Sequence, residues 1–209
     1  YNMLNGLAEA AKNDKIDFNF EITIVLDQLD NEDADIASSA AECIANMVDG
    51  RRGFLQHFDI TAFLDSLGDL YFSKTKFNSK KYVAKAILAL ISLQCGHDLV
   101  IFMEKGVIEV LTFLMDVSLK KQGNADIITV ERIVNVVDAI FQASKIYSST
   151  KLREAISSFD DCEGFTMICD VFDKYSHLPM VTNKLKEMLD VFMEEYAPEE
   201  YRGDGGDDE

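Results

Sequence analysis

The side chains that most often carry out chemistry in proteins, cysteine and histidine, are few and scattered in this chain. Cys162 and Cys169 are too far apart for a CxxC redox motif and do not match the spacing of zinc ligands. All the cysteines have apolar neighbours in predicted helices, so we predict reduced, buried thiols with a structural role at Cys43, Cys95, Cys162 and Cys169. The histidines fall at predicted helix ends or in loops, and we predict no metal or catalytic role for His57, His97 and His177.

Other catalytic patterns are also absent from the sequence. No serine, cysteine or lysine lies in a recognisable nucleophile turn, and no GxGxxG or GxxxxGK follows a strand. The carboxylate pairs Asp160-Asp161 and Glu194-Glu195 fall at a helix end and in the acidic C-terminal region. The sequence therefore predicts neither an enzyme nor a site for a cofactor or a small-molecule substrate.

Charge and hydropathy narrow the class of partner. The 209 residues include 37 acidic and 20 basic side chains, giving a net charge of −17, and 48% of the residues are apolar. The chain can bury a core, but it repels phosphate backbones, and its longest basic clusters are Lys80-Lys81 and Lys120-Lys121. No run reaches the roughly 18 apolar residues that span a bilayer. We expect a soluble protein that binds neither nucleic acid nor membranes, and for which basic protein segments are the better electrostatic partners.

Apolar residues recur at intervals of three and four along almost the whole chain, which is the period of an amphipathic helix. Residues 127–141 are rich in β-branched side chains, yet Ile133, Val136, Val137 and Ile140 keep the helical spacing. We therefore predict an all-α protein with one long helix in this region.

The predicted helices repeat with a period of about 43–49 residues, three helices to a period, which is typical of armadillo units. A partial unit, 1–49, contains helices Phe20–Leu29 and Asp35–Val48. The full unit 51–93 contains helices Arg52–His57, Ile60–Ser73 and Asn78–Leu93. The unit 97–145 contains His97–Lys105, Val107–Leu119 and Ile127–Lys145. The unit 150–196 contains Lys151–Phe159, Gly164–Lys174 and Met180–Tyr196.

Because a single unit of this kind cannot bury its own apolar faces, the units must stack. We predict an armadillo-type α-solenoid, a right-handed superhelix of three-helix repeats, forming one domain over residues 1–196. Gly106 and Gly164 stand just before second helices, where positive φ is useful. Residues 197–209 extend a region rich in acidic residues and glycine, and we predict a flexible acidic tail.

Three stretches resemble the C-terminal repeats of the importin-α family. Lys80–Ile87 followed by His97–Leu111 resembles the junction of its eighth and ninth repeats. Asp138–Lys145, with its Ile-Phe-Gln-Ala core, is similar to the third helix of the ninth repeat, and Cys162–Tyr196 to the atypical last repeat. The order of the matches and the acidic ending favour this family, and the resemblance implies repeats seven to ten of a divergent importin-α-like adaptor.

The resemblance also implies where a ligand groove would lie. In the family, third helices carry a Trp and, four residues later, an Asn, which hold lysine side chains and the ligand backbone. The corresponding pairs here are Glu42 with Asn46 and Lys85 with Ala89. Without tryptophan, and with Lys85 repelling basic ligands, this minor signal site is degenerate, and we expect basic nuclear-localisation segments to bind weakly if at all.

By the same resemblance, the protein acts in nuclear protein import and recycling and shuttles between cytoplasm and nucleus. The implied partners are an export receptor with its GTPase, or a nucleoporin; importin-β binds the family through an N-terminal segment that this sequence lacks. The candidate partner surface lies on the last helix and comprises Met180, Lys184, Glu187, Asp190, Glu194 and Glu195. The alternative hypothesis is an armadillo scaffold of an unrelated cytoskeletal or signalling complex.

Overall fold

The computed structural model describes residues 18–29, 31–33, 35–37, 39–41, 43–44, 60–73, 77–120, 125–175 and 179–196, and every regular element within these ranges is helical. The helices are α1 Phe18–Leu29, α2 Ile60–Ser73, α3 Phe77–Ile91, α4 His97–Glu104, α5 Val107–Leu119, α6 Ala125–Tyr147, α7 Ser149–Asp161, α8 Gly164–Tyr175 and α9 Pro179–Tyr196. Residues 35–37, 39–41 and 43–44 are also helical.

The helices pack in successive triplets. In the triplet α4–α6, helix α6 packs on both α4 and α5, and in α7–α9 the helices also contact one another. The third helices α3, α6 and α9 lie side by side, while α5 packs on α3 of the preceding triplet and on α7 and α8 of the next. The protein is therefore an all-α, armadillo-type α-solenoid, as predicted.

Helix bounds agree closely with the periodicity. The predicted ranges Ile60–Ser73 and Val107–Leu119 are those of α2 and α5, and α6 extends the prediction by two residues at each end. The β-branched residues of α6 are helical because Val130, Ile133, Val137 and Ile140 are all fully buried on one face. Two predicted elements lie outside the described residues, the helix Arg52–His57 and the tail 197–209. The assignment of residues 1–196 to one domain stays a prediction.

The turns before α5 and α8 each contain a residue with positive φ, a glycine in the first and a glutamate in the second. Gly106 precedes α5 with φ +80°, as predicted. The prediction for Gly164 was wrong, because Gly164 is the first residue of α8 and the preceding Glu163 takes the positive φ, +59°. Gly164 is required by close approach instead: a Cβ there would lie 2.6 Å from three ring carbons of Phe159.

One apolar core runs through the stacked helices from Val25 to Met188. Within it, Phe141 of α6, Phe159 of α7 and Phe165 of α8 pack together, with edge-to-face ring centroids 5.7 Å apart for the first pair and 5.0 Å for the last two. Burial of each such side chain stabilises the fold by roughly 1.5–3 kcal/mol. The core therefore fixes how one triplet sits on the next.

Polar contacts also cross between helices. Lys151 of α7 forms ion pairs at 2.6 Å with Glu104 of α4 and with Glu154 of α7. Hydrogen bonds to these carboxylates, that of Glu104 first, raise the pKa of Lys151. Lys174 of α8 donates to the Leu119 carbonyl at the end of α5, at 2.7 Å.

The cysteine prediction is corrected in part. Cys43 is buried, but Cys95 and Cys169 are exposed and Cys162 is half-buried. Cys95 lies in the turn between α3 and α4, outside the helical packing that was expected to cover it. His97 begins α4, as predicted for a helix-end residue, and its ring stacks on Tyr147 at 5.5 Å. His57 and His177 lie outside the described residues.

Candidate functional site

The exposed faces of α3, α6 and α9 form the candidate site, which we call the third-helix surface. On each helix, side chains three, four and seven positions apart lie in a row along one face. Because the three helices are neighbours, these rows lie next to one another. The surface is defined by the following residues: Lys81, Lys85 and Ser92 at and just beyond α3; Arg132, Asn135 and Ala139 of α6; and Lys184, Glu187 and Asp190 of α9.

A depression of about 320 Å³ opens between the end of α3, the start of α4 and the middle of α6. Its volume is at the lower end of the roughly 300–1,000 Å³ of small-ligand sites, which suits a side chain better than a large molecule. Its lining combines apolar and polar groups: Ile91, Ser92, Leu93, Gln94, Leu99, Arg132, Asn135, Val136 and Ala139.

The guanidinium of Arg132 is held in the depression by a hydrogen-bond chain. Arg132 Nε donates to Ser92 Oγ at 2.8 Å, and Ser92 Oγ donates in turn to the Leu88 carbonyl at 2.5 Å. Gln94 Nε2 donates to the Leu90 carbonyl at 3.2 Å. The Leu88 and Leu90 carbonyls thus accept side-chain donors in addition to the backbone N–H groups of Ser92 and Leu93. The bond to Ser92 orients the guanidinium of Arg132, a planar group of five N–H donors.

Charge changes sign along the third-helix surface. Lys81 and Lys85 on α3 and Arg132 on α6 are basic, whereas Glu187 and Asp190 on α9 are acidic and exposed. Between the two ends, Lys184 of α9 pairs with Asp138 of α6 at 2.6 Å.

The predicted groove residues are placed as follows. Lys85 is exposed on α3, where it can contact a ligand. Ala89 is corrected, because it is only 1% exposed and its methyl group belongs to the core. Glu42 and Asn46 lie outside the described residues, so the first predicted pair stays a prediction.

The predicted partner surface on α9 is only partly an outward surface. Glu187 and Asp190 are exposed, but Lys184 is turned to Asp138 and braces α9 against α6. The Lys184 side chain remains 34% exposed in this pair, and the partner surface on α9 stays a prediction. Met180, Glu194 and Glu195 occupy positions in α9, and their side chains lie outside the described part of the protein.

Sequence reasoning missed the residues that form the depression, above all Ser92, Arg132 and Asn135. The spacing of Arg132, Asn135 and Ala139 could have marked one face of α6, since these positions interrupt the apolar pattern. Nothing local in the sequence indicates that Ser92 meets this face forty residues away.

Among the described residues, no group of three or more histidine, cysteine, aspartate or glutamate side chains could hold a metal ion. Across the same ranges, none of the helices combines the length and apolar character needed to cross a membrane.

Comparison with known proteins shows similarity to solved structures but no family. No family model matches the chain, and no curated protein matches it. The structure is similar to the crystal structure of an engineered protein, with a TM-score of 0.56 and 16% identity over 92% of this chain and 72% of the other. A designed armadillo repeat protein in complex with the peptide (KR)4 gives a TM-score of 0.48 and 15% identity, with 90% of this chain and 91% of that chain covered. At such identities the likeness concerns the fold alone.

Proposed function

We propose that this chain is a non-enzymatic adaptor that binds extended segments of partner proteins on its third-helix surface. The observation that carries the proposal is the depression between α3 and α6, where an oriented guanidinium and the Asn135 side chain border an apolar lining. Mixed lining of this kind fixes the orientation of a ligand and also removes apolar surface from water.

The spacing of the helices suits an extended ligand. Packed helices lie about 8–10 Å apart, and an extended chain advances about 3.3 Å per residue, so each step from one third helix to the next corresponds to about three residues. An exposed amide such as that of Asn135 can both donate to and accept from a peptide backbone. Repeated helices thus provide repeated contacts without any catalytic group.

The finer proposal is an importin-α-like role in nuclear protein import and recycling, with shuttling between cytoplasm and nucleus. It is supported by the three ordered sequence resemblances and by the exposed carboxylates of Glu187 and Asp190 on α9. The proposed partners at α9 are an export receptor with its GTPase, or a nucleoporin. Basic nuclear-localisation segments would bind poorly at α3, because Lys85 is cationic and buried Ala89 offers no amide.

The test is a pull-down of the intact chain with the export receptor and its small GTPase in the GTP-bound state. We expect capture, and we expect the double substitution Glu187→Lys with Asp190→Lys to weaken it at least tenfold, since two attractive charges become repulsive. Asp170→Lys with Asp173→Lys, two exposed positions on α8, is the matched control. Failure of the intact chain to bind would exclude the recycling role.

The alternative, an armadillo scaffold in a cytoskeletal or signalling complex, is favoured by one observation. The basic character of Lys81, Lys85 and Arg132 is the wrong sign for basic import signals. Capture of cytoskeletal or signalling proteins by the intact chain, with loss of capture on Arg132→Glu, would support this alternative over the transport role.

A further inference from the structure

The last two triplets of helices are joined by lysine contacts as well as by the apolar core. We propose that these contacts limit how far the triplet α7–α9 tilts against α4–α6, and that the tilt widens when the contacts are screened by salt or removed. Because α6 and α9 both carry the third-helix surface, this joint controls how constant the spacing of the rows on that surface is. The proposal concerns the shape of the protein and does not depend on the ligand of the surface.

The lysine contacts run in one direction, from each helix of the last triplet back to its counterpart in the preceding triplet. They link α7 to α4, α8 to α5 and α9 to α6 through Lys151 and Glu104 at 2.6 Å, Lys174 and the Leu119 carbonyl at 2.7 Å, and Lys184 and Asp138 at 2.6 Å. We call Lys151, Lys174 and Lys184 the joint lysines. Because they lie on three different helices, they restrain the last triplet at three separate points.

The acceptors of Lys151 and Lys174 lie where helices end. Glu104 is the last residue of α4, and Leu119 is the last residue of α5. The C-terminal end of a helix carries partial negative charge, and its last carbonyls have no donor within the helix. A cation at such an end is stabilised by the helix as well as by its direct acceptor, so the preceding triplet favours a lysine at both places.

Solvent reaches the joint lysines, which makes their contacts sensitive to salt. The side chains of Lys151 and Lys184 are 24% and 34% exposed, and Lys174 is also exposed. The screening length falls from about 30 Å at about 0.01 M salt to about 3 Å at about 1 M, which is close to the length of these contacts. High salt should therefore weaken the restraint at all three points.

The apolar core keeps the triplets together when the lysine contacts weaken. Phe141 of α6 packs on Phe159 of α7 and Phe165 of α8, with ring centroids 5.7 Å and 6.5 Å away. Apolar burial is non-directional, so it fixes the mean position of the last triplet but resists small tilts less. A hydrogen-bonded contact is directional and weakens steeply when its angle changes. The core therefore holds the last triplet in place, while the joint lysines limit its excursions.

The test measures the distance across the joint by double electron–electron resonance on the whole chain. Nitroxide labels are attached to Cys95, exposed in the turn before α4, and to Cys169, exposed on α8. Cys162, which is half-buried, is replaced by alanine in every sample so that it takes up no label. We expect a narrow distance distribution at low salt and a broader one at about 1 M salt.

Two triple variants separate the lysine contacts from overall charge. Substitution of the three joint lysines by methionine should give the broad distribution already at low salt, with little further change when salt is added. The matched control removes three lysines whose contacts lie within one triplet, namely Lys80 over Tyr71, Lys120 with Asp116 and Lys186 over Phe172. Methionine at these three positions removes the same charge and should preserve the narrow distribution and its salt dependence.

A charge exchange tests one contact with little change in composition. Lys151→Glu places a carboxylate beside Glu104 and Glu154 and should broaden the distribution. Adding Glu104→Lys restores an attractive pair and the natural net charge, and should narrow the distribution again. Circular dichroism of every variant measures whether the helices are retained.

The outcomes are distinct. The same distribution in the natural chain and the joint-lysine variant, or equal broadening in both triple variants, would overturn the proposal. A width that stays constant from low to high salt in the natural chain would overturn the salt response. If the joint-lysine variant loses its helical signal, the charge exchange decides, and a double variant no narrower than Lys151→Glu would contradict a restraint by the lysine contact.

Discussion

Lys184 Nζ lies 2.6 Å from Asp138 Oδ2, and this ion pair joins α9 to α6. The Asp138 side chain is only 11% exposed, whereas that of Lys184 is 34% exposed, so the carboxylate depends on the lysine for most of its charge compensation. The Gln142 amide, 3.5 Å from Asp138 Oδ1, adds a long and weak contact. The pair therefore braces the last helix of the stack, beside the third-helix surface.

Removing the lysine should destabilise the protein. Lys184→Met leaves the carboxylate of Asp138 largely buried without its cation, and we expect a loss of about 1–3 kcal/mol, between the values for exposed and buried pairs. Urea unfolding measures the change. Lys120→Met is the control, because Lys120 is 75% exposed and its pair with Asp116 should contribute below about 0.5 kcal/mol. Equal effects of the two substitutions would show that solvent screens the Lys184 pair.

Alanine substitutions at two glycines should act in opposite directions. Gly164→Ala places a methyl group 2.6 Å from the ring of Phe159, which is fully buried and packed on Phe165, so the ring cannot yield easily. We expect a loss of about 1–3 kcal/mol from overpacking. Gly68→Ala, in α2 with nothing within 4 Å of its Cβ, should instead stabilise by about 0.5–1 kcal/mol. Thermal unfolding of both variants checks the signs, and a neutral Gly164→Ala would contradict the close approach.

Stability should fall at alkaline pH through Tyr71. Burial raises the pKa of its phenol above the usual value, and the charges of Glu109 and Cys162 act in the same direction. The folded state therefore keeps the proton more tightly than the unfolded chain, whose phenol ionises at about pH 10. The contribution of this group is complete below that pH and is lost as the pH rises above it.

Urea midpoints measured on both sides of about pH 10 test this assignment. Tyr71→Phe should lose less stability between the two conditions than the natural chain does. Tyr147→Phe, at a position 57% exposed, is the control and should behave like the natural chain. A natural chain and Tyr71→Phe with the same pH dependence would exclude Tyr71 as the cause.

The cysteines should differ sharply in reactivity. Cys95 and Cys169 are exposed and should be alkylated in the native protein, whereas buried Cys43 should react only after unfolding. Cys162 should react slowly, because burial raises the pKa of its thiol, although a hydrogen bond with Thr112 opposes this. Pulsed alkylation followed by mass spectrometry gives the order, and rapid native labelling of Cys43 would contradict its placement.

Much of the fold could be predicted because helical periodicity is a local property. The apolar spacing within α2 and α5 was sufficient to give their bounds. The failures occurred where burial depends on neighbouring elements. Cys95, predicted to be buried, lies in an exposed turn, and the positive φ predicted for Gly164 belongs to Glu163. A local pattern indicates which secondary structure a segment favours, but not which other elements will bury its side chains.

The candidate site depends even more than the fold on contacts between elements that are far apart in sequence. The resemblance to importin-α implies groove residues at Lys85 and Ala89, of which only Lys85 is on the surface. Sequence patterns do not predict the depression, because its polar residues come from the turn after α3 and from α6, which share no motif.

By itself, the sequence determined an acidic, helical chain with three helices to a period, because charge and the 3.6-residue period are set by neighbours along the chain. Only the tertiary structure decided that Ser92 meets Arg132 and that Asp138 meets Lys184. Such contacts depend on how each helix is rotated and shifted against the next, and those two quantities are fixed by the packing of the whole core.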